Sequence, residues 1–251
     1  MTMPATADVL GMGVWTGAAA TPAAPARAAG GARPRRRGSL LMQMVAEVSA
    51  QATAQANISL PLSRVRLIVG SAFGELGTTV EMLGELCDGG VLSPTRFHNS
   101  VHNSAAGALS IANGNTAAAM SLAAGNDTVA MALLEALALI DGDGDGGSEV
   151  LVVVADEPIP AALARVPAGE AIAAALLLGA PGSHAKLARL GAMQPPPPPA
   201  PGAFRPVEVD APCAGVLALL AAIREGRPGR VSLSPPGIPG WSIDVERVPP
   251  P

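Results

Sequence analysis

The sequence predicts an α/β fold with a mostly parallel sheet and helices on its faces. Apolar runs of strand length alternate along the chain with longer stretches whose apolar residues recur at helical spacing. Hydrophobic residues make up 49 % of the 251 positions while aromatics reach only 2 % and Tyr is absent, so the core must be built from small side chains at close quarters. Runs such as VRLIVG (65–70) and EVLVVVA (149–155) are apolar throughout, the pattern of strands buried on both faces.

Asp8 to Trp15 (DVLGMGVW) reads as a first, buried strand broken by glycines. Gly11, Gly13 and Gly17 resemble a dinucleotide fingerprint only loosely. The third glycine is one position late, and an Ala/Pro/Gly tract (18–34) follows instead of a helix start, so nucleotide binding is not expected. This tract and the basic run Arg33 to Arg37 form a low-complexity insertion at about 18–37, expected to be flexible and solvated. Leu40, Leu41, Met44, Val45 and Val48 then recur at helical spacing, predicting a helix over 39–54.

Val65 to Gly70 is the second strand. Gly74 to Leu86 follows as a helix with Leu76, Val80, Leu83 and Cys87 on one face, which makes Cys87 a core thiol by expectation. After Gly89-Gly90, Ser93-Pro94 starts the segment carrying His98 and His102. Ala117 to Leu122 is a small-residue strand, and Asn126 or Asp127 is placed to cap a helix striped by Val129, Leu133, Leu134 and Leu137. Glu149 to Ala155, Glu170 to Leu178 and Ala185 to Gly191 are three further strands. The polyproline run Pro195 to Pro199 closes this domain, giving a main unit over 1–192. Residues 193–251 form a Pro-rich linker and a small tail, with a helix over Cys213 to Arg224, a strand over Arg230 to Leu233 and a proline-rich end around Trp241.

A net charge of −4 argues against a general nucleic-acid surface, which needs concentrated basic residues. Cys87 and Cys213 fit no disulfide or metal framework, so a reduced, cytoplasmic setting is the default. No apolar run is long enough to span a membrane, and no secretory signal is read at the N-terminus.

The motifs that could carry chemistry are incomplete. Asp141-Gly-Asp-Gly-Asp-Gly matches the first half of a calcium loop, but Val152 stands where the bidentate Glu is required. His98 and His102 would share one face of a helix, yet Asn99 stands where a zinc protease has Glu, and His184 is the one other histidine in the sequence. No metal or cofactor is therefore expected. Ser71 follows a strand without a G-x-S-x-G elbow.

Residues 8–192 resemble the N-terminal half of a β-ketoacyl synthase, a condensing enzyme of thiolase-like fold. Ser93-Pro94, Asn103-Ser104-Ala105-Ala106-Gly107 and the run from Gly114 through Glu135 carry the likeness, supported by GMGVWTG and by Gly169-Glu170-Ala171. Within that family the chain looks most like the short chain-length-factor proteins of aryl-polyene-type clusters. The resemblance implies half of a thiolase-like fold. It also implies a Cys nucleophile at the turn opening the helix, where Ala123 stands, and two catalytic histidines from a second half that this sequence ends too early to contain.

The expected protein is thus a non-catalytic subunit pairing with an active ketosynthase in fatty acid, polyketide or aryl polyene biosynthesis, meeting acyl carrier protein through that enzyme. Arg96, Phe97, Val101 and His102 would face or gate the partner's acyl tunnel, and Met120 and Leu122 would lie at the subunit seam. The helix around Val216 to Ile223 would cover part of the sheet face that the second half covers in the family. Two other classes stay open from the residues themselves. One is an acyltransferase or hydrolase using Ser71 or Ser121; the other is a module that binds acyl carrier protein.

Overall fold

The computed structural model describes residues 6–17, 38–56, 62–142, 149–163, 170–182, 186–197 and 211–248. The insertion at 18–37 with its basic run, His184 and most of the acidic loop after Asp141 lie outside them. Eight strands form one sheet: β1 (Ala7–Thr16), β2 (Arg66–Gly70), β3 (Ala119–Leu122), β4 (Val150–Asp156), β5 (Ile172–Gly179), β6 (Ala188–Gln194), β7 (Gly229–Ser232) and β8 (Ser242–Arg247). Their order is β3-β2-β4-β5-β1-β6-β8-β7.

The sheet is mixed, which corrects the mostly parallel arrangement expected. β2 runs parallel to β3 and to β4, whereas β5 is antiparallel to β4 and β1, and every pairing outward to β7 is antiparallel. The reason lies in burial. All seven residues of β4 and all eight of β5 are buried. An apolar run of that kind records cover on both faces but not strand direction.

Alternating side chains sort into two cores. On one face Leu67, Val69, Leu151, Val153, Ala175 and Leu177 pack beneath α1 (Leu40–Ala56), joined by Ala105 and Ala106. On the other, Ile68, Val152, Val154, Leu176 and Leu178 pack beneath α5 (Thr128–Gly142) and α6 (Gly215–Arg224). Between β2 and β3 run three short helices, α2 (Leu76–Cys87), α3 (Pro94–Ser100) and α4 (Ser104–Ala112).

The glycines of β1 have a packing role. A Cβ on Gly11 would stand 2.0 Å from the Ala52 carbonyl oxygen, and one on Gly13 would stand 2.2 Å from that of Val48. The GMG sequence is thus what lets α1 lie directly on the strand. α1 also completes the strand's hydrogen bonding. β6 pairs with β1 at Ala7, Asp8 and Val9; further along, Met12 N donates to Gln55 Oε1 and Val14 N to Gln51 Oε1, both at 2.9 Å. At the paired end the buried Asp8 carboxylate is satisfied by Arg189 Nε at 2.8 Å and Gly182 N at 2.7 Å.

The segment beyond the polyproline run joins the same sheet, because β8 pairs with β6. α6 buries Val216, Leu219, Leu220 and Ile223 in the core shared with α5. Gly215 is pressed onto the hairpin, where a Cβ would meet the Leu233 carbonyl oxygen at 2.2 Å. The strand expected over Arg230 to Leu233 is β7; its partner β8 gave no sequence signal beside so many prolines.

Candidate functional site

β3 is an edge strand, held to β2 in parallel register from Leu67↔Ala119 to Gly70↔Leu122. Beyond it, Ala123 and Ala124 lead into a 3-10 turn, Gly125–Asp127, and then α5. Gly125 has φ +54, a left-handed conformation suited to glycine. The turn is fastened by Thr128: its hydroxyl accepts from Ala124 N at 3.0 Å and donates to the Gly125 carbonyl at 2.7 Å. Asp127 closes the turn and directly precedes α5, at the position expected for the cap. A helix opening beyond a strand end presents backbone N–H groups and a positive dipole end, the setting that ionises a nucleophilic thiol. Ala123 is exposed there and has nothing to ionise.

Behind this turn the chain collects three carboxylates. Asp156, at the end of β4, accepts through Oδ1 from Ser71 Oγ at 2.8 Å, Ala72 N at 2.9 Å and Phe73 N at 3.4 Å. Burial raises its pKa, and the Cys213 thiol of the tail lies beside it and works in the opposite direction. Glu157 accepts from Leu41 N at 2.8 Å and from Gly77 N, so one carboxylate caps the starts of both α1 and α2. Gly77 makes room for it, since a Cβ there would stand 3.0 Å from Glu157 Oε2. Glu75 is also buried and accepts from Ser39 Oγ at 2.7 Å and Ser104 Oγ at 3.0 Å. Burial raises the pKa of Glu75 and Glu157 as well, with Glu157 adding like-charge repulsion to Glu75.

These groups are tied into structure rather than arranged for catalysis. Ser71 is buried and donates its hydroxyl to Asp156. His102 approaches it, but through Nε2 and the Ser71 carbonyl oxygen, at 2.9 Å. Nucleophilic catalysis needs the imidazole on the hydroxyl instead. The Ser121 hydroxyl is buried and has no hydrogen-bond partner among the described residues, so none of them is set against it as a base. The Cys213 thiol is pushed well above its usual pKa by burial and then by Asp156, which keeps it protonated.

The residues expected at the partner surface fall on the α2–α4 side and on β3. Phe97 on α3 is 61 % exposed, and Val101, where α3 ends, is 40 % exposed. Met120 on β3 is exposed, whereas Leu122 is half-buried against the α5-side core. Arg96 reaches back to α2, donating to Glu81 and Glu85. His98 lies within α3 and His102 beyond its end, so the two do not share a helix face. Cys87 is exposed, which corrects its expected place in the core. Of nine exposed large hydrophobic side chains among the described residues, eight lie between Phe73 and Met120, so the apolar surface is concentrated on this side. Sequence spacing missed the carboxylates and the Ser71–His102 contact because their partners lie 29 to 116 residues apart. A sequence signal did exist: Asp156-Glu157 at the end of an apolar strand, where α/β proteins gather polar groups.

Among the described residues no helix is long and apolar enough to cross a membrane. Residues 14–204 match the family described as beta-ketoacyl synthase, N-terminal domain. No curated protein sequence matches the chain. Among solved structures, a chain from a ketosynthase (ApeO) in complex with its chain length factor (ApeC) from Xenorhabdus doucetiae aligns with TM-score 0.66 and 23 % identity, over 96 % of this chain and 99 % of that one. A beta-ketoacyl synthase from Burkholderia phymatum aligns with TM-score 0.58 and 16 % identity, over 75 % of this chain and 63 % of that one. The ishigamide ketosynthase/chain length factor aligns with TM-score 0.53 and 16 % identity, over 75 % and 54 %. At such identities the likeness is one of fold.

Proposed function

The chain belongs to the family of β-ketoacyl synthase N-terminal domains, and from that premise we propose that it is a non-catalytic, chain-length-factor-like subunit. It pairs with an active β-ketoacyl synthase in fatty acid, polyketide or aryl polyene biosynthesis, and it meets acyl carrier protein through that enzyme. The observation that carries the proposal is the turn between β3 and α5, where a helix opens beyond a strand end and the exposed Ala123 has no ionisable group; in this reading Ala123 stands at the family's nucleophile position. Without a nucleophile the covalent acyl-enzyme step has no acceptor.

The apolar side chains exposed beside that turn support pairing, since surface of this kind is stabilised when a subunit covers it. The similarity to a chain of nearly equal extent in a ketosynthase–chain length factor assembly points the same way. In this reading Arg96, Phe97, Val101 and His102 border the partner's acyl tunnel, and Met120 and Leu122 lie at the seam.

Co-expression with a tagged ketosynthase tests the proposal. The expected result is a stable complex that condenses acyl units, while this chain alone takes no acyl group from an activated thioester. A chain that ignores the ketosynthase, or that is acylated alone and loses labelling on Ser71→Ala or Ser121→Ala, overturns it.

A further inference from the structure

His102 sits between two exposed apolar residues, Val101 before it and Phe73 on the facing turn, and is itself half-buried. Its Nε2 lies 2.9 Å from the Ser71 carbonyl oxygen. A carbonyl oxygen only accepts, so Nε2 carries the proton of the neutral ring and Nδ1 holds the lone pair. Nδ1 has no hydrogen-bond partner among the described residues, and its ring is not free to turn away. The Ser71 carbonyl is fixed because Ser71 N donates to the Leu122 carbonyl at 3.1 Å and Ser71 Oγ is held between Asp156 Oδ1 and Gly74 N, each at 2.8 Å. Gly74, at φ +59, flanks the ring so closely that a Cβ would meet His102 Cδ2 at 2.8 Å.

We infer that His102 is a specificity-determining contact of this surface, presenting Nδ1 as a hydrogen-bond acceptor to an N–H or O–H donor on the partner subunit. The inference rests on the pairing proposed above and names what the partner must bring. An acceptor on a half-buried ring beside exposed apolar residues is left unpaired when the surface is covered, unless the incoming side supplies a donor. The site therefore discriminates against a partner of matching shape that lacks one. Asp156 acts one step behind as a positioning residue, through Ser71.

Nitrogen NMR of the ¹⁵N-histidine-labelled chain, titrated with the ketosynthase, reads this directly, with His102→Gln as the companion variant. Gln keeps an N–H for the Ser71 carbonyl, and its amide oxygen then falls on the Cδ2 side toward Gly74, leaving no acceptor at the Nδ1 position. The expected results are an Nε2–H tautomer in the free chain, a shift of the Nδ1 resonance on complex formation, and about tenfold weaker ketosynthase binding by His102→Gln. An Nδ1–H tautomer, an Nδ1 resonance that does not move in the complex, or a folded His102→Gln chain that binds as well as wild type overturns the inference while leaving the pairing intact. Absence of any complex with the wild-type chain overturns the pairing itself, and the inference with it.

Discussion

α1 and α2 carry apolar residues at the same helical spacing and begin from the same carboxylate, Glu157. α1 buries its stripe, with Leu41, Met44, Val45 and Val48 at 0–1 % exposure. α2 buries Met82 and shows Leu83 and Leu86, each 55 % exposed. What differs is the surface beneath. α1 lies on β1, where two glycines admit its backbone, while α2 packs outside the sheet against α3. Helical periodicity therefore says that a face wants cover, but not whether the same chain supplies it. For α1 the cover is internal, and for α2 the described residues leave Leu83 and Leu86 in solvent.

The contrast breaks most visibly at Gly11. Gly11→Val forces atoms into the Ala52 carbonyl, so α1 must lift from the strand. The expected loss is about 3 kcal/mol or more, seen as a collapse of the urea midpoint or as insoluble chain. A near-wild-type midpoint would mean that the α1–β1 contact is not what holds that face.

A second effect follows from the carboxylates that join the two helices. Burial lifts the native pKa values of Glu75 and Glu157 above the ordinary glutamate value of 4.5, and that of Asp156 above 3.8. The native chain then holds these protons more tightly than the unfolded chain does. Their contribution to stability is complete below the unfolded values and is lost as pH rises through the raised native ones. Unfolding midpoints followed from acid toward neutral pH should fall across that window, and Glu75→Gln should flatten the slope. A rise over the same window would contradict the burial argument.

The smallest effect sharpens the comparison from the other helix. Leu83→Ala should change the stability of the isolated chain by no more than about 0.5 kcal/mol, since the side chain stands in solvent. The same substitution should weaken ketosynthase binding measurably in a titration. A large loss of stability in the isolated chain would place Leu83 in the core after all.

Much of the architecture was legible in the sequence. α1, β2, α5, β4 and β5 were each announced by length and period, and the turn after β3 that holds Ala123 was legible as a break between strand and helix. Less local features were not. Strand direction left no trace in runs apolar on every residue, and β8 was hidden among prolines. The single segment read from Ser93 onward is two helices, because the chain turns at Val101 to Asn103 without a glycine or proline to mark it. The contacts that order the site, Asp156 with Ser71 and His102 with the Ser71 carbonyl, join residues 85 and 31 positions apart. A period of two or 3.6 says nothing about partners at that distance.

The amides of Gln51 and Gln55 have a consequence for how the sheet grows. By taking the N–H groups of Val14 and Met12, they stand in for a strand along the far half of β1. β6 is thereby released from having to run the length of its neighbour. It starts opposite Val9, and along its other edge, from Ala188 to Gln194, it takes β8 and with it the C-terminal hairpin. Two side chains on a covering helix thus set where one strand may begin, and so where the remainder of the polypeptide can be woven on.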